Sequence, residues 1–153
     1  MYKRQGQAGG RAGISVERVA VNLADFPIPD NEGNQPIDQP IWFGGKNAYF
    51  STLPVKQIVQ KIRDSGIPAS LSYSAGTFVC NDVMYWLLHL AECENPRLRG
   101  GFIHVPYSHE QAVPKPAGTP SMSISDMTEA IRLAIEALEQ TNVNSDGRMG
   151  MLS

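Results

Sequence analysis

Cys80 stands where the turn-forming run Ser74-Ala75-Gly76-Thr77 gives way to a segment of helical period, Val79 to Ala91, with Val83, Leu87, Leu88 and Leu90 on its apolar positions. The first turn of a helix leaves N–H groups unpaired and carries the positive end of the helix dipole, so a thiolate at that place is stabilised. Cys80 is therefore a candidate nucleophile, although a free cysteine can equally be a small buried apolar side chain. Cys93 comes at the far end of the same helix, where the dipole disfavours a thiolate, and is read as an ordinary side chain. These two cysteines are too few for a disulfide framework and are not spaced as zinc ligands.

A cysteine nucleophile needs a base within hydrogen-bond reach, and His89, His104 and His109 are the choices. Nine residues along one helix place His89 about 180° around and roughly 13 Å up the axis from Cys80, out of reach. His104 lies in the strand-like segment Gly100 to Tyr107. A right-handed crossover from a strand at 69–73 through the helix would make the two strands parallel, bringing His104 and Cys80 to one sheet edge. Open α/β sheets hold ligands at that edge. His109, in the loop that follows, stays open as an alternative, and His104 could also be a satisfied core histidine.

Glu17 is a carboxylate in the middle of ISVERVAVN, residues 14–22, a β-branched run that reads as a buried strand. A buried carboxylate needs a partner. Paired with His104 it would fix the imidazole tautomer and stabilise the imidazolium; on an edge strand it would face water or pair with Arg18.

The remaining elements follow from pattern. Val55, Ile58, Val59 and Ile62 after Pro54 predict an amphipathic helix ended by Gly66 and Pro68, followed by a strand over Ala69 to Tyr73. Prolines 27, 29, 36 and 40 make 24–40 a long irregular loop, and a loop of that length in a compact domain is more often functional than idle. After a Pro-rich loop from Pro106 to Pro120, a last helix is expected from about Ser123 to Gln140, with Met127, Ile131, Ala134, Ile135 and Leu138 on its apolar face. Strands alternating with helices predict an α/β domain over 1–140 with a mainly parallel sheet and helices on its faces. Residues 141–153 lack any period and are expected to form a loose tail. The Gly-rich opening, Gly6 to Gly13, leads into the strand at 14 with no element before it, as if the chain began in mid-domain.

Composition narrows the classes of partner. The chain has 153 residues, 42% hydrophobic, with a net charge of −2 and no Lys/Arg cluster, which argues for one domain and against a nucleic-acid or anionic-membrane surface. No apolar run is long enough for a membrane span and the opening residues lack a signal-peptide core, so a cytoplasmic location is expected. A thiolate and an imidazole call for no metal or organic cofactor.

GQAGGR at 6–11, ERVAVN at 17–22, PDNEGNQP at 29–36, SAGTFVCNDVMYWLLH at 74–89 and GFIHVPY at 101–107 together resemble the pyroglutamyl peptidase I family, also called pyrrolidone-carboxylate peptidase. The resemblance implies a three-layer α/β/α sandwich and a Cys-His-Glu triad at Cys80, His104 and Glu17. It implies removal of N-terminal pyroglutamate from peptides through a thioester, with Phe78, Val79 and Ile28 beside the lactam ring and Gln7 among its polar contacts. Homo-oligomers are a further implication. Family members also begin with a strand and a G-F-x-P-F type loop, and roughly sixty such residues have no counterpart here. The expectation is a sheet without its first strand region and a chain that is poorly stable and weakly active or inactive. Two other classes fit the residues alone: a non-catalytic α/β binding module with Cys80 merely buried, and an amidase or phosphorylase-like enzyme on a related sheet.

Overall fold

A period of two divides the sheet residues between two faces: Ile14, Val16, Ile103 and Val105 on one, Ser15, Glu17, Phe102 and His104 on the other. The computed structural model describes residues 2–141; of the expected tail, only Thr141 falls within them, as the end of the last helix. In chain order the elements are β1 (Tyr2–Gln7), β2 (Ile14–Glu17), β3 (Val19–Val21), β4 (Ala48–Phe50), α1 (Val55–Asp64), β5 (Ala69–Ser72), α2 (Val79–Glu94), β6 (Gly100–Val105), β7 (Tyr107–Ser108), α3 (His109–Ala112), β8 (Ser121–Met122) and α4 (Ile124–Thr141).

The main sheet has the order β1-β6-β2-β5. Its β1–β6 and β2–β5 pairs are parallel, and β2–β6 is antiparallel. On one face Ile14, Val16, Ile103 and Val105 join Val55, Ile58, Val59 and Ile62 of α1 and Ala130, Leu133, Ala134 and Ala137 of α4 in one buried cluster. On the other face Phe102 packs with Met84, Tyr85 and Leu88 of α2 and with Ala20 and Tyr49 of the small β3–β4 sheet. Helices thus cover both faces, as a three-layer α/β/α sandwich requires.

Four sequence-based expectations change. A strand does precede the Gly-rich turn: β1 pairs with β6 from Tyr2↔Gly100 to Gln7↔Val105. The single strand expected over 14–22 is two, because the backbone changes partner at Arg18. Its N–H bonds the Ser72 carbonyl of β5 at 2.7 Å while its carbonyl accepts from Ser51 N–H beyond β4 at 2.9 Å, so β3 leaves the main sheet and pairs with β4. β5 and β6 are not parallel neighbours joined by a crossover; β2 lies between them, parallel to β5 and antiparallel to β6. The loop from Pro106 to Pro120 contains β7 and a capped turn of helix, α3, where Ser108 and Gln111 cap each other reciprocally.

Candidate active site

Small residues flank His104 on the α2 face of the sheet. In the register of the sheet His104 lies between Gly6 of β1 and Ser15 of β2, so neither neighbour crowds the imidazole. Any side chain at Gly6 would force its neighbours to shift, since a Cβ built there would lie 2.9 Å from the Phe102 ring and 3.0 Å from Cys80 Sγ. Glycine here lets the sulfur come down onto the strand.

Glu17 is the last residue of β2, pointing to the same face as His104, with its side chain inaccessible to solvent (0% exposed). It sits opposite Phe102, one diagonal step from His104 across the antiparallel pair. His104 Nδ1 lies 2.8 Å from Glu17 Oε1. A carboxylate accepts, so Nδ1 carries the proton and Nε2 is left for the Cys80 thiol, with which His104 also interacts. Arg11 Nη1 donates to the same Glu17 Oε1 at 2.9 Å. Burial works to raise the Glu17 pKa, but the neighbouring side chains of His104, Ser72 and Arg11 outweigh it and hold the carboxyl below its ordinary value. Burial likewise works to lower the His104 pKa, and its interactions with Cys80 and then Glu17 reverse this, pushing it up to about 9.

Cys80 arrives by a route that crosses the sheet. The six residues Tyr73–Phe78 carry the chain from the end of β5 to the start of α2, turning at Gly76, whose φ of 83° is the left-handed conformation that glycine adopts without strain. Phe78 caps α2 in an extended conformation without a side-chain cap, leaving first-turn N–H groups beside the sulfur. Asn81, the next residue, is 1% exposed. Its amide accepts from Val21 N–H at 2.9 Å and donates to the carbonyls of Val21 and Leu23 at 2.9 and 3.1 Å, fastening the first turn of α2 to β3.

The long loop is tied to the same turn. Asp25 N–H bonds the Thr77 carbonyl at 3.1 Å, Thr77 Oγ1 donates to the Asp25 carbonyl at 2.8 Å, and the Phe26 and Phe78 rings meet edge to face at 4.6 Å. Asp30 holds the loop tip, accepting from the N–H groups of Glu32 and Asn34 at 2.9 and 2.8 Å.

Cys80, His104 and Glu17 are therefore brought together, with Phe78 half-buried and Val79 partly exposed just before Cys80 in the chain. Ile28 is 61% exposed on the tethered loop. Gln7 is placed elsewhere. Strand alternation turns its side chain to the α4 face, where Nε2 donates to Gln111 Oε1, so it does not face Cys80. His109 points away to Ser121 Oγ at 2.8 Å, and His89 pairs with Tyr49 at 3.0 Å. Arg18 lies over the Phe50 ring rather than beside Glu17.

Sequence reasoning missed Arg11, Ser72 and Asn81. The bare pattern held one signal, an asparagine directly after the candidate nucleophile where a helix first turn buries it. Among the described residues no group of three or more His, Cys, Asp or Glu is placed to hold a metal, and no helix is long and apolar enough to cross a membrane.

A thiol at a helix N-terminus, an imidazole fixed by a buried carboxylate and free N–H groups beside them have the parts that nucleophilic acyl transfer requires. Comparison with known proteins points the same way. Residues 4–141 match the model of a family described as "Pyroglutamyl peptidase". Pyrrolidone-carboxylate peptidase 2 of Photorhabdus laumondii is 56% identical over 137 residues, 89% of this chain and 62% of that protein. The pyrrolidone carboxyl peptidase structure from Thermococcus litoralis matches with a TM-score of 0.90 at 42% identity, over 99% of this chain and 70% of that one. Pyroglutamyl peptidase I from Bacillus amyloliquefaciens gives 0.85 at 48% identity, over 89% and 64%. The chain spans 62% of the length of the Photorhabdus relative and 65% of its counterpart from Clostridium botulinum.

Proposed function

This chain belongs to the pyroglutamyl peptidase family, and from that premise we propose that it is a cysteine exopeptidase that removes an N-terminal pyroglutamyl residue from peptides. The observation that carries the reading is the contact of 2.8 Å between His104 Nδ1 and the fully buried Glu17, on an imidazole that also interacts with Cys80.

In this mechanism Cys80 attacks the pyroglutamyl carbonyl as a thiolate, its proton held by His104. First-turn N–H groups of α2 receive the charge that develops on the carbonyl oxygen. His104 then protonates the departing amine, leaving a pyroglutamyl thioester on Cys80. Water, deprotonated by the same imidazole, hydrolyses the thioester and regenerates the thiol. Glu17 stays ionised throughout, holding the Nδ1–H tautomer and balancing the imidazolium.

The lactam is compact and uncharged, which suits an apolar mouth with a few directed polar groups. Phe78, Val79 and Ile28 supply apolar surface on the two segments that the Asp25–Thr77 bonds tie together. Mass analysis of peptides that differ only at the first residue tests the reading. Loss of the first residue from the pyroglutamyl peptide, with the glutaminyl and prolyl versions intact, supports it; equal trimming of all three contradicts it.

A further inference from the structure

Glu17 Oε1 receives two donors, His104 Nδ1 at 2.8 Å and Arg11 Nη1 at 2.9 Å, while Oε2 has no hydrogen-bond partner in place. The Ser72 hydroxyl also neighbours Glu17, but its single proton is directed to the Ser74 carbonyl at 3.1 Å. Without Arg11, a fully buried carboxylate would depend on an imidazole whose own charge comes and goes, and burial favours the protonated acid. Arg11 is different in kind. An arginine guanidinium is charged at every working pH, and Arg11 sits in the turn between β1 and β2, 37% exposed, on the same Oε1 that His104 bonds. The charged and titratable groups that face Glu17 are Arg11 from this turn, His104 from β6 and, through His104, Cys80 from α2.

We propose that Arg11 is a positioning residue for this site, holding the Glu17 carboxylate ionised and aimed so that the Cys80–His104 pair functions at lower pH than it otherwise would. The inference rests on the triad reading of Cys80, His104 and Glu17. Removing one fixed positive charge disfavours ionisation of Glu17 and favours the imidazolium, so both proton equilibria move to higher pH together. An ion pair with structural value alone would change stability and leave them where they are.

The test uses the whole chain in a Cys93→Ser background, so that Cys80 is the one thiol, and measures iodoacetamide alkylation against pH for wild type, Arg11→Met and Arg11→Lys. The expected result is a curve displaced to higher pH in Arg11→Met, with Arg11→Lys between it and wild type. The pH profile of kcat/KM on a pyroglutamyl amide should move on both limbs in the same direction. Alkylation does not depend on the substrate, so displaced alkylation without hydrolysis would uphold the role of Arg11 while contradicting the peptidase reading. Superimposable alkylation curves with only a lowered Tm would overturn the proposal. Should Arg11→Met fail to fold, Arg11→Lys decides: an unmoved curve overturns the role, a displaced one upholds it.

Discussion

His104 and Glu17 stand 87 positions apart in the chain, yet His104 Nδ1 lies 2.8 Å from Glu17 Oε1 with both side chains buried. The pair meets because β2 runs antiparallel beside β6 and ends at Glu17, one diagonal step from the histidine. A carboxylate in that position determines which imidazole nitrogen is free for Cys80.

Glu17→Gln keeps the shape and removes the charge. The new amide can turn an N–H toward Nδ1, which then has to become an acceptor, and the tautomer reverses. Turnover of a pyroglutamyl amide is expected to fall by about 10²–10⁴-fold, with Arg11 left facing a neutral group. Steady-state kinetics of the purified variant checks this.

Opposed pKa shifts give stability a ceiling on the pH scale. The His104 pKa is raised to about 9, so its contribution is complete below its ordinary value near 6.5 and is lost as pH climbs through about 9. The Glu17 pKa is lowered, so its contribution is present above the ordinary carboxylate range and fades as pH falls through the depressed value. Thermal melts across pH should show Tm declining on both sides, and His104→Gln should flatten the alkaline decline specifically.

Gly6→Ala tests the approach of the sulfur to the strand. The added methyl would lie 2.9 Å from the Phe102 ring and 3.0 Å from Cys80 Sγ, and both are hemmed in by α2. A cost of about 1–3 kcal/mol is expected from overpacking, with a drop in kcat from the displaced sulfur. Denaturant unfolding and kinetics on one preparation separate the two effects.

Asn81→Ala removes three hydrogen bonds between the first turn of α2 and the chain that leaves β2. Backbone groups of Val21 and Leu23 lose their partners, at a cost of about 1–3 kcal/mol for each group left buried and unpaired. Unfolding should become easier and Cys80 alkylation slower, because the helix start is no longer held over His104. Urea melts and alkylation rates report each.

Much of this was legible in the residues. The apolar period of α1, the strand around His104 and the turn-to-helix handover at Cys80 come from patterns that span a few neighbouring positions. What escaped depends on partners far along the chain. Arg18 exchanges its backbone bonds between β5 and the Ser51 segment, and that switch splits one apolar run into β2 and β3 without any mark in the run itself. Strand order escaped for the same reason: β2 between β5 and β6 depends on pairings that a local period cannot express. Arg11 and Asn81 resemble ordinary loop and helix residues until the fold brings them to Glu17 and Val21.

The central claim is that Cys80 attacks a pyroglutamyl carbonyl with His104 and Glu17 behind it. Its most direct test is the release of fluorophore from a fluorogenic pyroglutamyl amide by this chain, by Cys80→Ser and by Cys93→Ser. The account predicts release by wild type and by Cys93→Ser, and a loss of at least about 10⁴-fold in Cys80→Ser. Release that persists undiminished in Cys80→Ser would contradict it.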